Sequence, residues 1–127
     1  MAQQPTGNSQ HQGAAAEQLA AEYLQARGLK LLARNLRCRA GEIDLVCLDG
    51  ELLAIVEVRQ RSSEDFGGAL ASVASAKQRR IMRATRFFLR CRPHWRHRAM
   101  RFDVLAVRGS LAGAHDILWV KDAFRAT

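Results

Sequence analysis

The chain has 127 residues, of which 48% are hydrophobic and 25% charged, with a formal net charge of +8. That length suits one domain with a sizeable core, and the positive balance points to a polyanionic partner. Three scattered cysteines (Cys38, Cys47, Cys91) argue against a disulfide framework and for a reducing, cytoplasmic setting; no apolar run approaches the roughly 20 residues of a membrane helix, and no secretory leader is visible.

Residues 1–12 are polar and aperiodic and are expected to form a mobile tail, leaving 13–127 as a single domain. The spacing of Ala16, Leu19, Ala20, Tyr23 and Leu24 predicts a core-facing helix over 14–27, stopped by Gly28. Glu17 lies on the margin of that stripe, where an acid in the first turn also suits the helix dipole. A strand is expected over 29–37.

Residues 41–61 then read as a hairpin. Asp49-Gly50 is a strong signal for a type I′ turn between two runs rich in Val, Ile and Leu. Alternation puts Asp44 on one face of the first strand, and Glu57 and Arg59 on one face of the second. A two-residue loop at Asp49-Gly50 sets Leu48 opposite Glu51, Asp44 opposite Ile55 and Glu42 opposite Glu57. Asp44 and Glu57 are then diagonal neighbours, roughly 7–8 Å apart at the backbone. Two carboxylates so placed can converge on a hard cation such as Mg²⁺, which takes oxygen ligands at about 2.0–2.1 Å. The alternative is a solvated polar face. The near-continuous apolar run through Ile55, Val56 and Val58 suggests instead a strand covered on both sides, where carboxylates need a partner or a metal.

Residues 61–68, with a Gly pair, are expected to form a loop beside this charged site. A second helix is predicted over 75–91, capped by Ser72 or Ser75 and ended before Pro93. Ile81, Ala84, Thr85 and Phe88 form its apolar side, and Arg79, Arg83, Arg86 and Arg90 line the opposite side. Lys77 falls on the apolar side, from which it could reach the sheet. From Lys77 to Arg101 the chain has Lys and Arg but no Asp or Glu, so the excess positive charge belongs to this helix and the segment after it. One-signed charge of this kind fits a phosphate-tracking surface better than an ordinary solvated face, which mixes signs. Trp95 could stack on a base or fill the core. His94 and His97 sit among arginines that would repel a cation and are read as surface histidines. Strands over 101–107 and 116–120 complete a mixed α/β domain, an antiparallel meander with flanking helices. There is no internal repeat, P-loop, GxGxxG or Ser-His-Asp order.

Several stretches together resemble the YraN family. They are Gly13 with Glu17 in the first helix, Gly-Glu-Ile-Asp-Leu-Val at 41–46, Val-Glu-Val-Arg at 56–59, Lys77-Gln78, Arg-Phe-Asp-Val at 101–104 and Val-Lys-Asp-Ala-Phe at 120–124. The resemblance spans Gly13 to Phe124. It implies a restriction-endonuclease-like αβββαβ core of the PD-(D/E)xK type, a central mixed sheet flanked by helices, similar to archaeal Holliday junction resolvases. It puts Asp44 and Glu57 at metal-binding positions, Glu17 at the helix glutamate that often completes the site, and Arg59 where the superfamily usually has lysine. Ala16 stands where the family commonly has glycine. Arginine stays protonated in proteins, so Arg59 is a poor general base, and Lys77 is the candidate substitute. The expected activity is Mg²⁺- or Mn²⁺-dependent cleavage of DNA phosphodiester bonds, with branched recombination or repair intermediates among the candidate substrates and homodimers common in such folds. The alternative is a non-catalytic nucleic-acid-binding module.

Overall fold

The computed structural model of the chain describes residues 7–61, 73–109, 113 and 115–125. Helix α1 spans Gly7–Ala26 and is followed by strands β1 (Lys30–Cys38), β2 (Gly41–Asp49) and β3 (Leu52–Arg61). Helix α2 (Ser75–Cys91) and a 3-10 turn at Pro93–Trp95 lead into β4 (Met100–Gly109) and β5 (His115–Phe124). The five strands form one sheet in chain order, parallel between β3 and β4 and antiparallel elsewhere. The expected mixed α/β architecture is thus present, and its element order accommodates an αβββαβ core with one further strand.

α1 ends as its glycine predicted. Gly28 has φ +94°, its amide donates to the Gln25 carbonyl at 3.0 Å, and the Leu29 amide donates to the Leu24 carbonyl at 3.1 Å. This pair of bonds is a Schellman stop, and the left-handed residue it needs carries no Cβ penalty only when it is glycine. The other end differs from expectation. The helix reaches back to Gly7, so residues 7–12, expected to belong to a tail, are helical. Their polar side chains give no periodic signal; a helix already anchored in the core extends at the low cost of propagation rather than nucleation.

The sheet is covered on both sides. Ala20, Ala21 and Leu24 of α1 pack on Leu45, Cys47, Ala54, Val56, Leu105 and Val107. On the other face Ile81, Ala84 and Phe88 of α2 pack on Ile43, Val46, Leu53, Ile55 and Phe102. This is why consecutive residues 53–56 are all buried rather than alternating. α2 occupies the expected residues, but its N-cap is Ala74 and makes no side-chain capping bond. Ser75 is therefore not the cap, and Ser72 lies outside the described residues, as does the expected loop beyond Arg61.

The hairpin register differs from the one expected of an Asp49-Gly50 loop. Asp49 pairs with Leu52, and Leu48 with Leu53, so the loop is Gly50-Glu51. Gly50 has φ +65°, while Asp49 is absent from the left-handed residues. Glycine at the first central position of a two-residue loop is the type II′ arrangement, whereas type I′ needs both positions left-handed. Moving the loop by one residue shifts the pairing by two, which preserves the faces. Continued to the site, this register sets Asp44 opposite Glu57, directly rather than diagonally.

β4 and β5 are tied together by a buried anion. Asp103, fully buried, accepts from Arg101 Nε at 2.7 Å and Nη2 at 2.9 Å, from Trp119 Nε1 at 3.0 Å, and from the Asp122 amide at 2.9 Å. Arg101 Nη2 also reaches Asp49 Oδ2 at 3.0 Å. The Arg-Phe-Asp-Val motif therefore has a structural role. Its carboxylate satisfies groups on both strands, where β5 turns through Asp122 at φ +57°. β5 consequently continues to Phe124, four residues past the expected end.

Candidate functional site

The site forms where the regular ladder breaks. On β1, Arg34 Nη1 donates to Gln18 Oε1 of α1 at 3.0 Å, yet Leu36, two residues on, packs on the α2 side. Residues two apart on a strand normally face the same way. Asn35 between them has φ +53°, a conformation that asparagine tolerates better than most side chains, and it turns the strand over. The adjacent strand changes face in step: Ile43 packs toward α2 and Leu45 toward α1, with Asp44 between them. The paired register of β2 and β3 stops at Leu45 and Val56, and the Val58 amide donates instead to Asp44 Oδ2 at 2.8 Å.

Asp44 and Glu57 are buried, at 8% and 5% exposure. Burial pushes Glu57 up to about 7, and the nearby Asp44 charge adds to this while Lys77 opposes it. Burial likewise raises Asp44 to about 6; the Val58 amide pulls the other way, and the charge of Glu17 raises it further. The two carboxyls are near enough that each affects the other's titration. Two acids this close and this buried resist ionising together, so near neutrality the pair tends to retain a proton. Glu57 Oε2 is met by Lys77 Nζ at 3.2 Å and by Arg59 Nη1 at 3.5 Å. Lys77 thus reaches the acidic face from the start of α2, and Arg59 stands on the same face two residues beyond Glu57.

Glu17 approaches from the α1 side, near Asp44 and Asn35; partial burial raises its pKa. The structure therefore gathers Glu17, Asp44, Glu57, Arg59 and Lys77 at one end of the sheet. Asp44 lies within electrostatic reach of both other acids. Among the described residues, however, no three His, Cys, Asp or Glu side chains already surround a single cation position.

Arg79, Arg83, Arg86 and Arg90 lie along the outer side of α2. Trp95 is half-buried against the α2-side core, with the Arg98 guanidinium 5.0 Å from its ring centroid, so it serves packing. Arg80 is a basic residue that the helical pattern did not single out. It faces the β1–β2 turn, where Gly41 lies so close that a Cβ there would run into the Arg80 carbonyl. The glycine of the Gly-Glu-Ile-Asp motif is thus needed for helix and hairpin backbones to meet. The run Arg37-Cys-Arg39 at the turn was the available signal for further charge here. No described helix is long and apolar enough to cross a membrane.

Comparison with known proteins finds that residues 16–107 match the model of a family described as uncharacterised protein family UPF0102. A UPF0102 protein of Pseudomonas putida (strain GB-1) is 48% identical over 94% of this chain and 98% of its own length. One from Nitrosococcus oceani is 47% identical over 89% of this chain and 90% of its own. One from Stutzerimonas stutzeri is 44% identical over 91% and 96% respectively. The chain belongs to this family, in agreement with the YraN resemblance of its motifs.

Proposed function

We propose that this UPF0102 protein binds nucleic acid and is a metal-dependent nuclease acting on DNA phosphodiester bonds. The observation that carries this reading is the buried Asp44–Glu57 pair, placed where the strand ladder opens and flanked by Lys77 and Arg59. Burying two acids together is costly as structure alone, and acids whose pKa is raised by burial concentrate at functional sites.

The donor set fits a hard cation, because all its candidates are oxygens. Asp44 and Glu57 would hold Mg²⁺ or Mn²⁺, with Glu17 completing the set on the Asp44 side. Such an ion, when bound, lowers the pKa of a coordinated water and neutralises charge on a phosphate. The chain's own residues supply the rest. The Val58 amide fixes Asp44 by its Oδ2. Arg59, permanently protonated, offers charge to a phosphate and cannot act as base. Lys77 holds Glu57 Oε2 and can exchange that contact for a phosphate oxygen. The arginines of α2 contribute backbone attraction with little sequence preference.

Asp44→Ala and Glu57→Ala are each expected to abolish Mg²⁺-dependent cleavage of branched or single-stranded DNA while binding persists. Cleavage by both variants equal to that of the parent would refute the site. A second reading, a binding module without catalysis, is favoured by the two cations already on Glu57 and by the lack of three converged ligands among the described residues. It predicts salt-sensitive binding without turnover in any divalent metal.

A further inference from the structure

An open cavity of about 410 Å³ lies between the β1–β2 turn and the start of α2. Arg37, Arg39, Lys77 and Arg80 line it, with Glu42 the single acid on its wall among the described residues. Glu42 is itself partly answered by Arg37, whose Nε lies 3.4 Å from its Oε1. Gly41 contributes backbone alone, and α2 and the hairpin touch there. Lys77 is common to the cavity and to the carboxylates, since its Nζ rests 3.2 Å from Glu57. The cavity is thus a predominantly basic chamber joined to the acid pair through Lys77.

We infer that this cavity receives a phosphate group of a nucleic-acid strand, a backbone phosphodiester or a terminal monophosphate, on the Lys77 side of the metal site proposed at Asp44 and Glu57. The inference rests on the nucleic-acid reading above and adds a location and a path to it. Three guanidiniums offer planar forks that match phosphate oxygens, and Lys77 adds a point charge. Arg80 is turned about 100° around α2 from Arg79, one residue's rotation in a helix. The strand therefore follows the seam between α2 and the β1–β2 hairpin, and the outer arginines act at longer range.

The test is fluorescence anisotropy with a short single-stranded DNA, carrying either a 5′-phosphate or a 5′-hydroxyl, in a chelator so that cleavage does not intervene. The full-length parent is compared with Arg39→Gln/Arg80→Gln and with Arg27→Gln/Arg125→Gln. The second pair removes the same charge at exposed positions away from the cavity. All four positions are exposed, and thermal melts establish that each variant folds. The cavity variant is expected to bind about tenfold more weakly than the parent, and its salt slope to fall by about 0.7 for each phosphate it no longer neutralises. The remote variant should change less than about twofold, since it loses only long-range attraction. Equal weakening on both DNAs assigns the cavity to a backbone phosphodiester. A 5′-phosphate advantage present in the parent and absent from the cavity variant assigns it to a terminal monophosphate. If the cavity variant binds both DNAs as the remote variant does, this inference falls and the nucleic-acid reading stands. If the parent binds neither DNA at low salt, both fall.

Discussion

Replacing Glu57 by glutamine should make the metal-free protein more stable at alkaline pH. In the folded chain Glu57 titrates at about 7, against an ordinary value of 4.5. An acid whose folded pKa is raised favours folding while protonated and opposes it once ionised. Its contribution is therefore harmless below about pH 4.5, grows unfavourable as pH rises toward 7 and is constant above. At 1.36 kcal/mol per pKa unit the full effect is about 3 kcal/mol. The amide keeps the size of the side chain and an oxygen for Lys77, so little packing is lost. In chelator, Glu57→Gln should match the parent near pH 4.5 and exceed it by up to about 3 kcal/mol above pH 7, or on the order of 10 °C in Tm for a domain of this size. Urea unfolding at a series of pH values measures the difference directly. A variant less stable than the parent at pH 8, or a difference that does not grow between pH 5 and 7, would refute the argument that burial raises the acid. Asp44 shifts in the same direction over a slightly lower window, from 3.8 to about 6.

Three further outcomes are expected. Titration calorimetry with Mn²⁺ should give binding to the parent and none to Asp44→Ala; no heat from the parent favours the non-catalytic module. Asp103→Ala should cost about 3–5 kcal/mol in urea unfolding, because it leaves Arg101 with Asp49 alone and the Trp119 and Asp122 donors unpaired, while DNA affinity per folded molecule is unchanged. Gly41→Ala should cost about 1–3 kcal/mol, since the new Cβ must push α2 from the hairpin; a neutral result would mean that the contact relaxes freely.

The parts legible in the sequence were those that depend on local pattern. The α2 stripe, the Gly28 stop and the buried strands follow from periodicity and from the conformational needs of single residues. The shared face of Asp44, Glu57 and Arg59 survived a wrong register because the error was an even number of residues. What escaped depends on choices between near-equal local options or on distant partners. Whether Asp49 or Gly50 opens the turn decides the register, and both arrangements accept an Asp-Gly pair. Asn35 gives no sign in the sequence that two strands change face beside it. The demands on Gly41 and Asp103 arise from α2 and β5, far along the chain, so their motifs were visible without their reasons. Arg37, Arg39 and Arg80 are far apart in sequence or face the solvent side of their elements, and only folding brings them to one cavity.

The irregularities in β1 and β5 have a consequence for self-association. These are the two edges of the sheet, where exposed backbone invites another chain to add a strand. Each edge is interrupted within its length: β1 by a register shift between Leu31 and Ala33 and by the left-handed Asn35, β5 by the left-handed Asp122 opposite a shift between Phe102 and Val104. A straight incoming strand cannot keep register past such breaks. The same kink that turns Asp44 toward Glu57 thus also blunts an edge, so a substitution that straightened β1 would be expected to cost solubility as well as the site.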